Sequence, residues 1–143
     1  MKLTKNFTFE ELTNTSHKEF LADNIYYAVN NLDKVKDLAL FAQEVRELLN
    51  VPMTVTSAVR CPSLNTKVGG TPTSQHQKIE AIDFIPAKIS LEKAFDIIRY
   101  SKLKFGQLII EKSGSKEWVH ISIGHKRQVL KYLNGKYYII KSK

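Results

Sequence analysis

With 143 residues, 43% of them hydrophobic, the chain is long enough to bury one core and too short to suggest two, so a single domain over 1–143 is expected. One cysteine excludes an internal disulfide and a cysteine-rich metal knuckle, and no stretch approaches the roughly 20 apolar residues that span a bilayer, so membrane insertion is not expected. The net charge of +8 favours a polyanionic partner, but the lysines are scattered and lack the aromatic-interleaved pattern of a nucleic-acid reader, so nucleic acid is not the expected one.

The N-terminal segment has no apolar run of signal-peptide type, which predicts synthesis in the cytoplasm. Thr8-Phe9-Glu10-Glu11 has the Thr-x-x-Glu form of a capping box and predicts a helical turn near 8–13. From Leu32, the residues Val35, Leu38, Ala39, Ala42, Val45 and Leu49 recur at three- and four-residue spacings, the stripe of an amphipathic core helix. Leu91, Ala94, Phe95 and Ile98 repeat the pattern after Ser90, a suitable N-cap, over about 91–101.

Elsewhere the period shortens to two, or short runs are continuously apolar, at 53–57, 81–85, 107–111 and 118–123, which predicts strands. Asn134-Gly135, between 128–133 and 136–140, suits a type I′ turn and predicts a closing β-hairpin. The sum is an α+β fold: a small antiparallel sheet with helices packed on one face. The connection from Ala58 to Glu80 is polar and broken by Pro62, Gly69, Gly70 and Pro72; structureless connections of that length usually carry function or are disordered.

At the end of that connection stands His76. Asp83 follows within the 81–85 strand and His120 lies within the 118–123 strand. Alternation puts Asp83 opposite Ile82 and Phe84, and His120 opposite Val119 and Ile121, so both leave the core on the sheet's other face. Two imidazoles and a carboxylate form a common catalytic zinc shell with one open position. Such an ion lowers the pKa of water and polarises a peptide carbonyl. Glu117 is the first expectation for the general base, with Glu111 in reserve because strict alternation turns Glu117 away from His120. Cys61 has no evident base beside it and is read as inert; Trp118 is read as core or cleft wall, and His17 and His125 as surface or structural residues.

Ser74-Gln75-His76 through Ala81-Ile82-Asp83, together with Glu117-Trp118-Val119-His120, resembles the two metal-binding motifs of the M15 peptidases, the D-alanyl-D-alanine carboxypeptidase and dipeptidase superfamily that includes phage endolysins. Thr56 to Asn65 resembles that family's Ser-Gly-Tyr-Arg-x-Pro-x-x-Asn element and 105–111 its penultimate strand, so the likeness runs over roughly 5–125. The resemblance implies Zn2+ held by His76, Asp83 and His120, Glu117 as base, Arg60 as a catalytic and substrate-binding residue, and Ser74 supporting the metal loop or touching substrate. It also implies hydrolysis of an amide bond in peptidoglycan stem peptides by a monomer acting at the bacterial wall after release, with a phage-associated source among the expectations. The alternative is a non-catalytic zinc-containing wall-binding or phage structural module. Ile79 stands where the first motif often has glycine, and Ala58-Val59 replaces the Gly-Tyr before the arginine.

Overall fold

A computed structural model describes residues 1–140 of the chain. The capping box forms as expected: the Thr8 hydroxyl accepts from the Glu11 amide at 3.1 Å and the Glu11 carboxylate accepts from the Thr8 amide at 3.1 Å, starting α1, Phe9–Thr13. A 3₁₀ turn, Lys18–Phe20, leads into α2, Leu21–Val29, a helix absent from the sequence-based expectations. Leu21, Ile25, Ala28 and Val29 do recur at helical spacing, but Ile25, Tyr26 and Val29 face outward and the helix buries only Asn24 and Ala28. The core helix α3 spans Leu32–Leu49 and ends on Asn50 in the left-handed conformation, whose amide closes on the Arg46 carbonyl at 2.9 Å.

Strand β1, Met53–Ser57, precedes α4, Pro62–Lys67, a short helix inside the long polar connection that opens with proline at its first turn. Then come β2, Ala81–Pro86; α5, Leu91–Arg99, capped by the Ser90 hydroxyl; β3, Gln107–Ser113; β4, Lys116–Ser122; β5, Gln128–Leu133; and β6, Lys136–Ile139. Asn134 and Gly135 both have positive φ, 43° and 95°, as the two-residue turn between β5 and β6 requires.

The α+β class stands, but the expected small antiparallel sheet is corrected to a six-stranded mixed one in the order β1-β2-β4-β3-β5-β6, with β3 and β5 parallel. The cause is local. Because β4 returns between β2 and β3, the chain must pass under the start of β3 and climb its free edge. Gly106 allows this close passage: a Cβ there would lie 2.8 Å from the Ile123 carbonyl oxygen and the Ser122 hydroxyl.

Ile82, Phe84, Leu108, Ile110, Val119, Ile121 and Val129 point to one side of the sheet and form the core with α3 and α5. The opposite side carries Asp83 and His120, directly paired across β2 and β4 as the alternation implied. No helix among the described residues is long and apolar enough to cross a membrane.

The turn between His76 and Asp83 carries an unusual residue. Ile79 has φ of 59° and is 2% exposed. A β-branched residue in this left-handed region is strained by about 1–2 kcal/mol, yet its side chain belongs to the core cluster. Burial therefore holds an unfavourable backbone in place. Ile79→Gly relieves the strain but removes the whole side chain, for which truncation costs of about 2–5 kcal/mol are usual. The expected result is net destabilisation by about 1–3 kcal/mol, read as a lower melting temperature in thermal unfolding.

Candidate metal centre and cleft

His76 is delivered by a tight loop. Its amide donates to the Ser74 hydroxyl at 3.3 Å, and its carbonyl accepts from the amides of Arg60 and Ile79 at 3.3 and 3.2 Å. The ring is oriented by the Ala58 carbonyl, 2.9 Å from Nδ1. A carbonyl only accepts, so Nδ1 carries the proton and Nε2 presents a lone pair. That Nε2 is buried, lacks a hydrogen-bond partner among the described residues, and lies 3.1 Å from Asp83 Oδ1.

His120 is arranged in the same way through its other nitrogen. Its Nε2 donates to Gln75 Oε1 at 2.7 Å, leaving Nδ1 2.9 Å from Asp83 Oδ1. Two lone pairs and a carboxylate oxygen thus converge, all within 4.8 Å of one another on three buried residues. Three acceptors facing one another repel unless a cation lies among them, so this donor set fits a metal ion, and the outer partners Ala58 and Gln75 fix the ring tautomers that ligation needs. Burial opposes ionisation of Asp83, but in the metal-free chain the charge of His76 and the hydrogen bonds that both imidazoles give when their facing nitrogens are protonated outweigh it and hold the carboxyl well below the usual range.

The three residues line a cavity of about 490 Å³ together with Arg60, Ser74, Glu111 and Trp118. Arg60 is held by Asn65, whose Oδ1 accepts from Nη1 at 3.2 Å while its amide group donates to the Thr71 carbonyl and Gln77 Oε1. Gly70 is needed beside it, since a Cβ there would fall 2.0 Å from Asn65 Oδ1. Burial lowers the Arg60 pKa, opposed by the charges of Asp83 and Glu111, and the guanidinium remains a fixed cation in the wall. Ser74 also lines the cavity, and its hydroxyl supports the loop through the His76 amide.

The structure separates the two glutamates. Glu111 pairs with Trp118 across β3 and β4, two residues from the Ile109–His120 pair, so it stands on the ligand face; the Trp118 indole donates to its Oε2 at 3.0 Å. Burial, then the Asp83 charge, pushes its carboxyl up, against the opposing pull of His120, Trp118 and Arg60. Glu117 instead pairs with Lys112, and its carboxylate lies 3.6 Å from the Lys112 ammonium. That ammonium also holds Glu92 of α5 at 2.8 Å, which marks the helix-packed side of the sheet. Glu117 is exposed and borders a second cavity of about 770 Å³, with Lys18, Val55 and Ile85, which Asp83 and Trp118 also line.

Cys61 is buried, its thiol 3.5 Å from the Ser63 hydroxyl, and its amide donates to Asn24 Oδ1. His17 caps the 3₁₀ turn and His125 is exposed; neither belongs to the metal-ligand group. Trp118 forms cleft wall. Sequence reasoning assigned no role to Gln75, which orients His120, or to Asn24, which ties Thr13, Val59 and Cys61 together behind the arginine loop. Neither carries a periodic or spacing signal, because each acts through one side-chain amide on partners distant in sequence. A family model of the M15 peptidases matches the chain over residues 5–122. No curated protein matches it.

Proposed function

The chain belongs to the peptidase M15 family, and on that premise we propose that it is a zinc peptidase hydrolysing an amide bond in peptidoglycan stem peptides, acting at the bacterial wall. The observation that carries the reading is the buried convergence of His76 Nε2, Asp83 Oδ1 and His120 Nδ1 in the cavity that also holds Glu111 and Arg60. Two histidines and a carboxylate leave one position open on zinc. When bound, zinc supplies a Lewis acid for the scissile carbonyl and makes water more acidic.

The chain's own groups do the rest. Glu111, half-buried with its carboxyl pushed up by desolvation, is in its ionised form a stronger base than a free carboxylate, suited to take a proton from water and return it to the leaving amine. The Trp118 indole holds that carboxylate in place through Oε2. Arg60 has a fixed charge and forked donors for a substrate carboxylate or a developing oxyanion. Glu117 serves less well, because Lys112 draws it toward the other side of the sheet. The net charge of +8 suits retention on an anionic wall.

The test is digestion of purified peptidoglycan with zinc-loaded and chelated protein, followed by mass analysis. New amine termini are expected only with the zinc-loaded form, and the fragment masses identify the bond. Zinc retention and wall binding without new termini would refute the enzyme and leave a binding module.

A further inference from the structure

The family match ends at residue 122, but the cavity does not: Tyr137 of β6 forms part of its wall. Strand register explains how a residue from the sheet's edge arrives there. Trp118 pairs with Glu111, Glu111 with Tyr132, and Tyr132 with Tyr137. The four side chains stand in one row across β4, β3, β5 and β6, on the face that carries His120. Tyr132 and Tyr137 meet edge to face, 4.8 Å between centroids with planes 62° apart, which steadies the outer ring beside the cavity. Tyr137 is nevertheless 61% exposed, a large aromatic surface left in water next to a polar cleft. Partial burial raises its phenol pKa, and the Glu111, Tyr132 and Asp83 charges add to that rise, so the hydroxyl remains a donor at neutral pH.

We propose that Tyr137 is a substrate-binding residue of the cleft, its ring covering part of the peptide on the β5–β6 side of the scissile bond and its hydroxyl donating to a carbonyl or carboxylate oxygen of that peptide. The closing hairpin is then a cleft wall as well as a sheet edge. This inference rests on the peptidase reading for its substrate. It does not rest on turnover.

The chain has one tryptophan, and Trp118 lines the same cavity, so its fluorescence reports occupancy directly. The probe is the synthetic stem pentapeptide L-Ala-D-Glu-L-Lys-D-Ala-D-Ala, titrated into zinc-loaded wild type, Tyr137→Ala, Tyr137→Phe and Tyr138→Ala. Tyr138 sits on the same strand with its side chain on the opposite face, so it controls for damage to the hairpin. Tyr137→Ala is expected to weaken binding about tenfold, and to raise KM for hydrolysis by a similar factor with kcat and zinc content unchanged. Tyr137→Phe should fall between, and Tyr138→Ala should match wild type. Wild-type affinity in Tyr137→Ala, an equal loss in Tyr138→Ala, or no binding to wild type would overturn the proposal. Binding of the pentapeptide without hydrolysis would instead refute the peptidase reading and leave the Tyr137 comparison decisive.

Discussion

Glu111→Gln is expected to lower kcat by about 10²–10⁴-fold, the range typical of removing a general base, with zinc content unchanged, whereas Glu117→Gln is expected to retain activity close to wild type. The substitution preserves shape and an oxygen that accepts from the Trp118 indole, but cannot take a proton. The pH profile adds a second readout. Burial and the Asp83 charge raise the Glu111 carboxyl above its ordinary value, and the ionised form is the active one. Activity therefore rises with pH as the Glu111 carboxyl ionises and is lost as pH falls through its pKa. Stability has the opposite sign. A folded-state pKa that is raised gives a contribution fully present below the unfolded value and lost as pH rises through the folded one. In chelated protein, Glu111→Gln should thus gain melting temperature over wild type above that pH. A large loss in Glu117→Gln with little in Glu111→Gln would return the base to Glu117.

The elements read correctly were those whose burial is periodic. In α3 and α5 the apolar stripe faces the core, and in β2 and β4 the alternation correctly put Asp83 and His120 on the side away from Phe84 and Ile121. What could not be read was set by contacts distant in sequence. The parallel β3–β5 pair follows from β4 being claimed on both edges, a fact of topology and not of any local window. The helix α2 departs from the usual pattern because the residues it buries are Ala28 and Asn24, the latter a polar hub for irregular backbone. Within the site, spacing pointed to the three candidate ligands, but the choice between Glu111 and Glu117 needed the β3–β4 register. Strand parity had already turned Glu117 away from His120; the contact of Lys112 with α5 supplies the direction.

Loss of a ligand should separate binding of the metal from the architecture around it. Gln75→Ala removes only the acceptor behind His120, and about 10–100-fold weaker zinc binding is expected, as for other outer partners of a ligating histidine. Asp83→Asn removes the central charge toward which both imidazoles point, so its loss in affinity should be greater, with hydrolysis abolished at zinc concentrations that saturate wild type. Calorimetric titration with zinc checks the order. Thermal unfolding checks its consequence: a metal that binds only the folded chain stabilises it by about 4 kcal/mol at a thousand times Kd, so zinc should raise the wild-type melting temperature steeply and that of Asp83→Asn hardly at all. Without metal, the two imidazoles overcome the burial penalty on Asp83 and depress its folded-state pKa. The corresponding stability is present above the ordinary aspartate value and lost as pH falls below it. Chelated wild type should therefore lose melting temperature relative to Asp83→Asn on acidification through that range. Equal zinc affinity in wild type and Asp83→Asn would mean that the converging lone pairs do not form the metal site.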